Sequence, residues 1–187
     1  TPKIGLNVLI AFIPAAIAGF FFHDFIKLFL FRVEVVAAAL IIGGILIFVI
    51  ESLVGKFSTD SVEKISWKKS LHVGFAQILA LIPGISRSGA TILGGMMTGM
   101  NRVTATEFSF FLAIPTMFAA TLYDLFKNVS SLTGSDAGIF TGGFLTAFFS
   151  ALLVIKWFLK FVSTHTFRTF AWYRIIFGIL ILMISVL

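Results

Sequence analysis

The chain has 187 residues, of which 59% are hydrophobic and only 12% charged, with a mean hydropathy of +1.08. A soluble domain carries about 25% charged residues, so this chain cannot cover a water-facing surface, and lipid is the solvent its composition fits. It has no cysteine, which excludes disulfides, thiolate metal sites and a cysteine nucleophile. The net charge of +6 does not indicate nucleic acid, because the basic residues lie between apolar runs, where they read as topology signals and headgroup contacts.

A helix crossing the hydrocarbon needs about 20 apolar residues. In chain order, residues 4–22 meet that length, with Pro14 inside as an expected kink, and 33–54 follow, bracketed by Glu34 and Glu51. Residues 103–126 form a third span holding Glu107 and Pro115, 137–157 a fourth, and 169–187 a fifth with Arg174 near its start. The beginning, Thr1-Pro2-Lys3, runs straight into the first span without an initiator Met or a signal-cleavage pattern, which is read as a fragment lacking residues before Thr1. The expected fold class is an all-α integral membrane domain over 1–187.

Residues 71–100 differ from these spans. The apolar stretch 71–82 covers about half a bilayer at 1.5 Å per residue. Pro83-Gly84-Ile85-Ser86-Arg87-Ser88-Gly89 then interrupts it, before a second short run rich in Gly and Met. Two half-length helices around a Pro/Gly break predict a re-entrant hairpin, the sequence pattern that points to membrane binding sites. Charge supports the hairpin. With it, Lys3, Lys56, Lys64, Lys68, Lys69, Arg102, Lys156, Lys160, Arg168 and Arg174 fall on one face. Lys27, Arg32 and Lys127 fall on the other, and Arg87 stays in the membrane, which accounts for all 14 basic residues. The positive-inside rule makes the first face cytoplasmic. A single crossing at 71–100 would split the charges almost evenly.

Arg87 is the most informative residue. An arginine in the bilayer centre costs from about 3 to above 10 kcal/mol unless it meets an anion, a carboxylate or water. Around it stand Ser86, Ser88 and Thr91 as hydroxyl donors, while Gly84 and Gly89 let a ligand approach the backbone. The second half-helix begins beside Arg87, so its free N–H groups and positive dipole end point at the same place. A planar cation, hydroxyls and a helix N-terminus together suit phosphate oxygens. The competing reading makes Arg87 a cytoplasmic loop residue and the serines ordinary turn formers, but it leaves the short helices unexplained.

The run Gln77-x8-Ser86-Arg87-Ser88-Gly89-Ala90-Thr91 with Pro83-Gly84, then Glu107-Phe108-Ser109-Phe110 and Pro115, resembles the bacterial undecaprenyl-diphosphate phosphatase family, whose loss sensitises cells to bacitracin. The resemblance extends in span order over the whole chain. It implies an inverted-repeat fold in which each half is a re-entrant hairpin plus three spans. This chain would supply five spans and one hairpin, with an N-terminal re-entrant hairpin and one span absent. It implies a bacterial inner-membrane enzyme that hydrolyses undecaprenyl diphosphate and recycles the lipid carrier for cell-wall synthesis. The family's earlier motif, two glutamates and a Ser-Ser-Thr-Gly-His run, has no match here, since His23, His72 and His165 lack that context. A divalent cation, Mg or Ca, is expected from the resemblance, with its ligands in the absent part and no metal ligand in this chain.

Carried over by position, Arg87, Ser86 and Ser88 are the expected catalytic residues, and Thr91, Gly84, Gly89 and Gln77 the expected substrate-binding ones. Gln77 could equally be a polar residue satisfied between helices. Glu107 either neutralises Arg87 or Arg102, or caps its helix in a Thr104-x-x-Glu107 box, the structural role being favoured. His72 reads as an interfacial residue, Lys68 and Lys69 as headgroup contacts. Expected partners are a polyprenyl diphosphate and the bilayer, with no nucleic acid and a homodimer left open. The alternative function is a polyprenyl-phosphate translocase with a midplane phosphate site.

Overall fold

A computed structural model describes residues 2–53, 57–128 and 137–186. The described residues form seven α-helices: α1 (Pro2–Phe25, continued by a π-helical turn Ile26–Leu30), α2 (Val33–Leu53), α3 (Trp67–Ile78), α4 (Arg87–Met97), α5 (Arg102–Asn128), α6 (Ala137–Thr164) and α7 (Arg168–Val186). All except α3 and α4 are long and apolar enough to cross a membrane. Their outward faces carry large apolar side chains, Phe21 and Ile139 being three-quarters exposed (75% and 78%). A fold that leaves such surfaces uncovered is solvated by lipid, with its backbone polar groups paired inside each helix.

Several helices exceed the expected spans. α6 reaches Thr164 rather than residue 157, because Lys156 and Lys160 end the apolar window without ending the backbone pairing. α1 and α5 run through Pro14 and Pro115. Lys56 and Thr1 lie outside the described residues.

Helices associate through small residues, since between helices in lipid the hydrophobic effect is absent and close packing takes its place. Among the described residues α2 and α7 form the most extensive pair. A Cβ placed on Gly44 would stand 2.8 Å from the Ala171 carbonyl oxygen, and one on Gly178 would stand 2.8 Å from that of Ala37. α3 lies on α1 in the same way, with a notional Gly74 Cβ 2.6 Å from the Ala11 carbonyl oxygen. Buried Asn7 extends this contact, donating from Nδ2 to the Ile65 carbonyl at 2.8 Å.

α3 and α4 make a hairpin whose two open ends lie together. The Ser58 and Thr59 N–H groups both donate to the Gly99 carbonyl, at 2.8 and 3.1 Å, and Asn101 N–H returns a bond to the Thr59 carbonyl at 2.9 Å. The hairpin tip sits well along the molecule, where Gly84 packs against Val36 and Ala39 of α2. Ser86 to Met100 spans about 20 Å at helical rise, so the tip is remote from the end where the hairpin opens.

That open end is closed by a buried carboxylate. Glu51, its side chain only 1% exposed, accepts from Arg102 Nε at 2.8 Å and Nη2 at 3.2 Å, and from the Phe167 backbone N–H at 3.2 Å. One residue of α2 thus holds the starts of α5 and α7. Glu107 pairs with neither Arg87 nor Arg102, and the expected capping box is not formed. Asn101 is the cap instead, its Oδ1 accepting from Thr104 N–H at 2.8 Å, because the helix begins two residues before Thr104. Lys69, expected at the headgroups, is drawn inward by the Ser58 and Thr59 hydroxyls at 3.1 and 2.7 Å. Exposed His72 bonds back to the Lys68 carbonyl on its own helix.

Removing one member of a buried bidentate pair leaves an unpaired charge. Glu51→Ala should therefore cost about 3 kcal/mol, read as a lowered unfolding midpoint in detergent. Glu51→Ala combined with Arg102→Met should lose less than Glu51→Ala alone.

Candidate functional site

The break between α3 and α4 follows directly from its residues. α3 tightens into a 3-10 turn over Leu79–Leu81, and Ile82 is extended. Ile85 N–H donates to the Ile82 carbonyl at 3.0 Å, closing a β-turn with Pro83 and Gly84 at its centre. Proline in the first central position and a glycine with φ +94° in the second match a type II turn. Gly84 is required twice over, since a Cβ there would also stand 2.5 Å from the Val36 carbonyl oxygen.

Ser86 then starts α4 as its N-cap, with Oγ accepting from Gly89 N–H at 3.1 Å. The Arg87 and Ser88 N–H groups, in the first turn, have no acceptor within the helix. Ser86 Oγ and Ser88 Oγ lie 3.1 Å apart. The two hydroxyls carry two protons and use one between them, so one remains for a ligand. The turn therefore presents N–H groups, a hydroxyl proton and a helix dipole, all donors toward an anion.

The expected site residues divide between two sides of this hairpin. Ser86, Ser88 and Gly89 line a cavity of about 390 Å³ whose other walls are mostly apolar, including Ile47, Leu93, Phe158 and Phe170. Arg87, Thr91 and Gln77 are turned toward α5. Arg87 Nη1 donates to the Ser109 carbonyl at 3.0 Å, and its side chain is half-buried. Thr91 and Ser109 are fully buried with hydroxyls 2.6 Å apart, and Thr91 Oγ1 also lies 3.0 Å from the Arg87 carbonyl. Gln77 Oε1 lies 3.4 Å from Thr116 Oγ1, whose proton is better placed for the Leu112 carbonyl at 2.7 Å. Gln77 Nε2 is buried without an acceptor.

Arg174 is the cavity residue that the sequence reading misplaced. Assigned to the basic flank at the start of the fifth span, it lies six residues inside α7 and is only 9% exposed. Its Nη2 donates to the Gly84 carbonyl at 2.8 Å and the Ala39 carbonyl at 3.3 Å. The available signal was its depth, because an arginine about 9 Å inside an apolar helix has no acidic residue three or four positions away to neutralise it. Among the described residues no three His, Asp or Glu side chains converge as a metal site.

The chain matches the family model for bacitracin resistance protein BacA over residues 1–180. It belongs to the BacA family. Similar proteins include an undecaprenyl-diphosphatase of Nitrosospira multiformis, 56% identical over 178 residues that make up 95% of this chain and 65% of that protein. Undecaprenyl-diphosphatase 3 of Acinetobacter baylyi is 54% identical, covering 95% of this chain and 67% of its own. An undecaprenyl-diphosphatase of Aromatoleum aromaticum is 51% identical, over 96% of this chain and 65% of its own. This BacA-family chain thus spans about 65% of the length of the Nitrosospira multiformis and Aromatoleum aromaticum relatives.

The turn geometry makes a direct prediction for this BacA-family chain. Gly84→Ala forces a side chain into left-handed backbone and against Val36, and should destabilise by at least about 2 kcal/mol. Thermal unfolding in detergent, compared with an exposed-site control such as Gly138→Ala, measures it; a Cβ on Gly138 meets nothing within 4 Å.

Proposed function

We propose that the protein hydrolyses undecaprenyl diphosphate to undecaprenyl phosphate and inorganic phosphate at the break between α3 and α4. In this reading the hairpin is re-entrant, the whole is the larger part of an inverted-repeat fold, and the membrane is the bacterial plasma membrane. The observation that carries it is the type II turn that opens a helix N-terminus among apolar helices, with Ser86 and Ser88 on an apolar cavity and Arg87 on the α5 side of the same turn. A polyprenyl diphosphate needs both environments at once, donors for the head and hydrocarbon for the tail. The diphosphatase names of the similar proteins favour cleavage over the translocase reading.

Hydrolysis breaks the bond between the terminal phosphorus and the bridging oxygen. The oxygen from water ends on the released phosphate, and negative charge gathers on the bridging oxygen of the departing lipid phosphate. Fixed donors aimed at that charge lower the barrier, since they need no reorganisation as it develops. Arg87 has one Nη1 bond to Ser109 and keeps its remaining N–H groups for phosphate oxygens. Ser86, Ser88 and the first-turn N–H groups orient the head, and Gly84 and Gly89 keep the approach open. Thr91 acts by holding α4 to Ser109, which sets the direction of Arg87. Gln77 offers its unpartnered Nε2 from the same side.

A divalent cation would help neutralise the diphosphate. The described residues do not supply a ligand set for it: Glu51 is committed to Arg102, and no acidic cluster stands at the break. No step here is therefore assigned to a metal, and no step requires a second copy of the chain.

Phosphate release from a polyprenyl diphosphate by the purified full-length protein tests the proposal. Arg87→Ala should abolish turnover while the helices still insert, and Arg87→Lys should fall below about a tenth of wild type, because an ammonium lacks the guanidinium fork. Near-wild-type release by Arg87→Ala would remove Arg87 from the reaction. Transbilayer movement of an uncleavable analogue without any phosphate release would replace hydrolysis by transport.

A further inference from the structure

We infer that Arg174 is a second anion ligand, binding a phosphate oxygen of a lipid phosphate in the cavity between α2, α4 and α7 together with Ser86 and Ser88. The inference takes from the hydrolysis reading only the lipid's identity as a polyprenyl phosphate; the anion site stands on its own observations.

The first observation is charge without a counter-ion. Arg174 is 9% exposed, and no carboxylate among the described residues lies within salt-bridge distance of it. Its bonded acceptors, the Gly84 and Ala39 carbonyls, are neutral and both are taken by Nη2. A guanidinium has five N–H groups. The two on Nη1 and the one on Nε make no hydrogen bond, and Nε is fully buried. A cation in that state among apolar helices is costly unless an anion completes it.

The second observation is what surrounds it. Arg174 lines the same cavity as Ser86, Ser88 and Gly89, which bring the shared spare hydroxyl proton and the N-terminal end of α4. These donors come from two separate elements and face one space. Apart from Tyr173, the rest of the wall is apolar, from Leu46 and Ile50 of α2 to Met97 of α4 and Phe170 of α7. Free phosphate would meet the donors but leave that wall bare, whereas a phosphate carrying an apolar tail fits both.

The third observation is that space has been kept for the guanidinium. Gly43 faces it from α2, and a Cβ there would collide with Nη2. Through Gly84 the same guanidinium also ties the type II turn to α7, so anion binding and the position of the break are coupled.

The test is equilibrium binding of three probes to the full-length protein in detergent: farnesyl phosphate, farnesol and inorganic phosphate. Arg174→Gln should weaken farnesyl phosphate at least tenfold and farnesol less than twofold, a split that general loosening of the fold would not produce. Gly43→Ala, which keeps the charge and displaces it, should weaken farnesyl phosphate at least threefold with farnesol again unchanged, and carries the test if Arg174→Gln does not fold. Farnesyl phosphate binding within twofold of wild type, or an equal loss of farnesol, would overturn the role of Arg174. Inorganic phosphate competing as well as farnesyl phosphate would overturn the lipid assignment. Phosphate release by wild type, measured in parallel, reports on hydrolysis separately, because product binding needs no turnover.

Discussion

A guanidinium surrounded by hydrocarbon has to be solvated by something, and in this protein the solvation is incomplete by design of the fold. Arg87 has one backbone carbonyl and Arg174 two, and neither has a carboxylate partner among the described residues. Arg102 shows the contrast. Where a cation serves structure alone, it is given a buried glutamate with bidentate geometry and a third bond from the Phe167 backbone. The difference between a closed ion pair and two open cations separates the scaffold from the proposed site.

The open cations are held in place by backbone, and the backbone is held by small residues. The type II turn at Pro83-Gly84 exists because Gly84 alone tolerates both its dihedral and the approach of Val36. That turn stops α3, frees the start of α4 and exposes a carbonyl to Arg174. Glycine and alanine contacts between α2 and α7 bring the arginine to the same depth as the turn. Lipid around the outer faces contributes little to this specificity, since every apolar face is equally at home in it. Close backbone contact decides which helix sits where.

The two sides of the hairpin divide the work. One side faces α5 through a buried chain of hydroxyls, Thr91 to Ser109, that orients Arg87. The other opens on an apolar cavity with donors at one end. Both sides share the single helix N-terminus at Ser86.

Much of this could be read along the chain. Long uncharged runs imply lipid as solvent, the short halves of 71–100 imply a break, and Pro-Gly followed by Ser-Arg-Ser implies a capped helix start, because each rests on neighbours within a few residues. The family followed from the same motif. What required the tertiary structure depends on residues far apart in sequence. Glu51 and Arg102 are 51 positions apart, and Arg174 and Gly84 are 90 apart. Arg174 counted as a flanking charge by position alone, and Glu107 as a cap, because hydropathy records how apolar a stretch is and not which neighbour a side chain will meet. Packing of α7 on α2, set by the close backbone approach at Gly44 and Gly178, turned one of those charges inward.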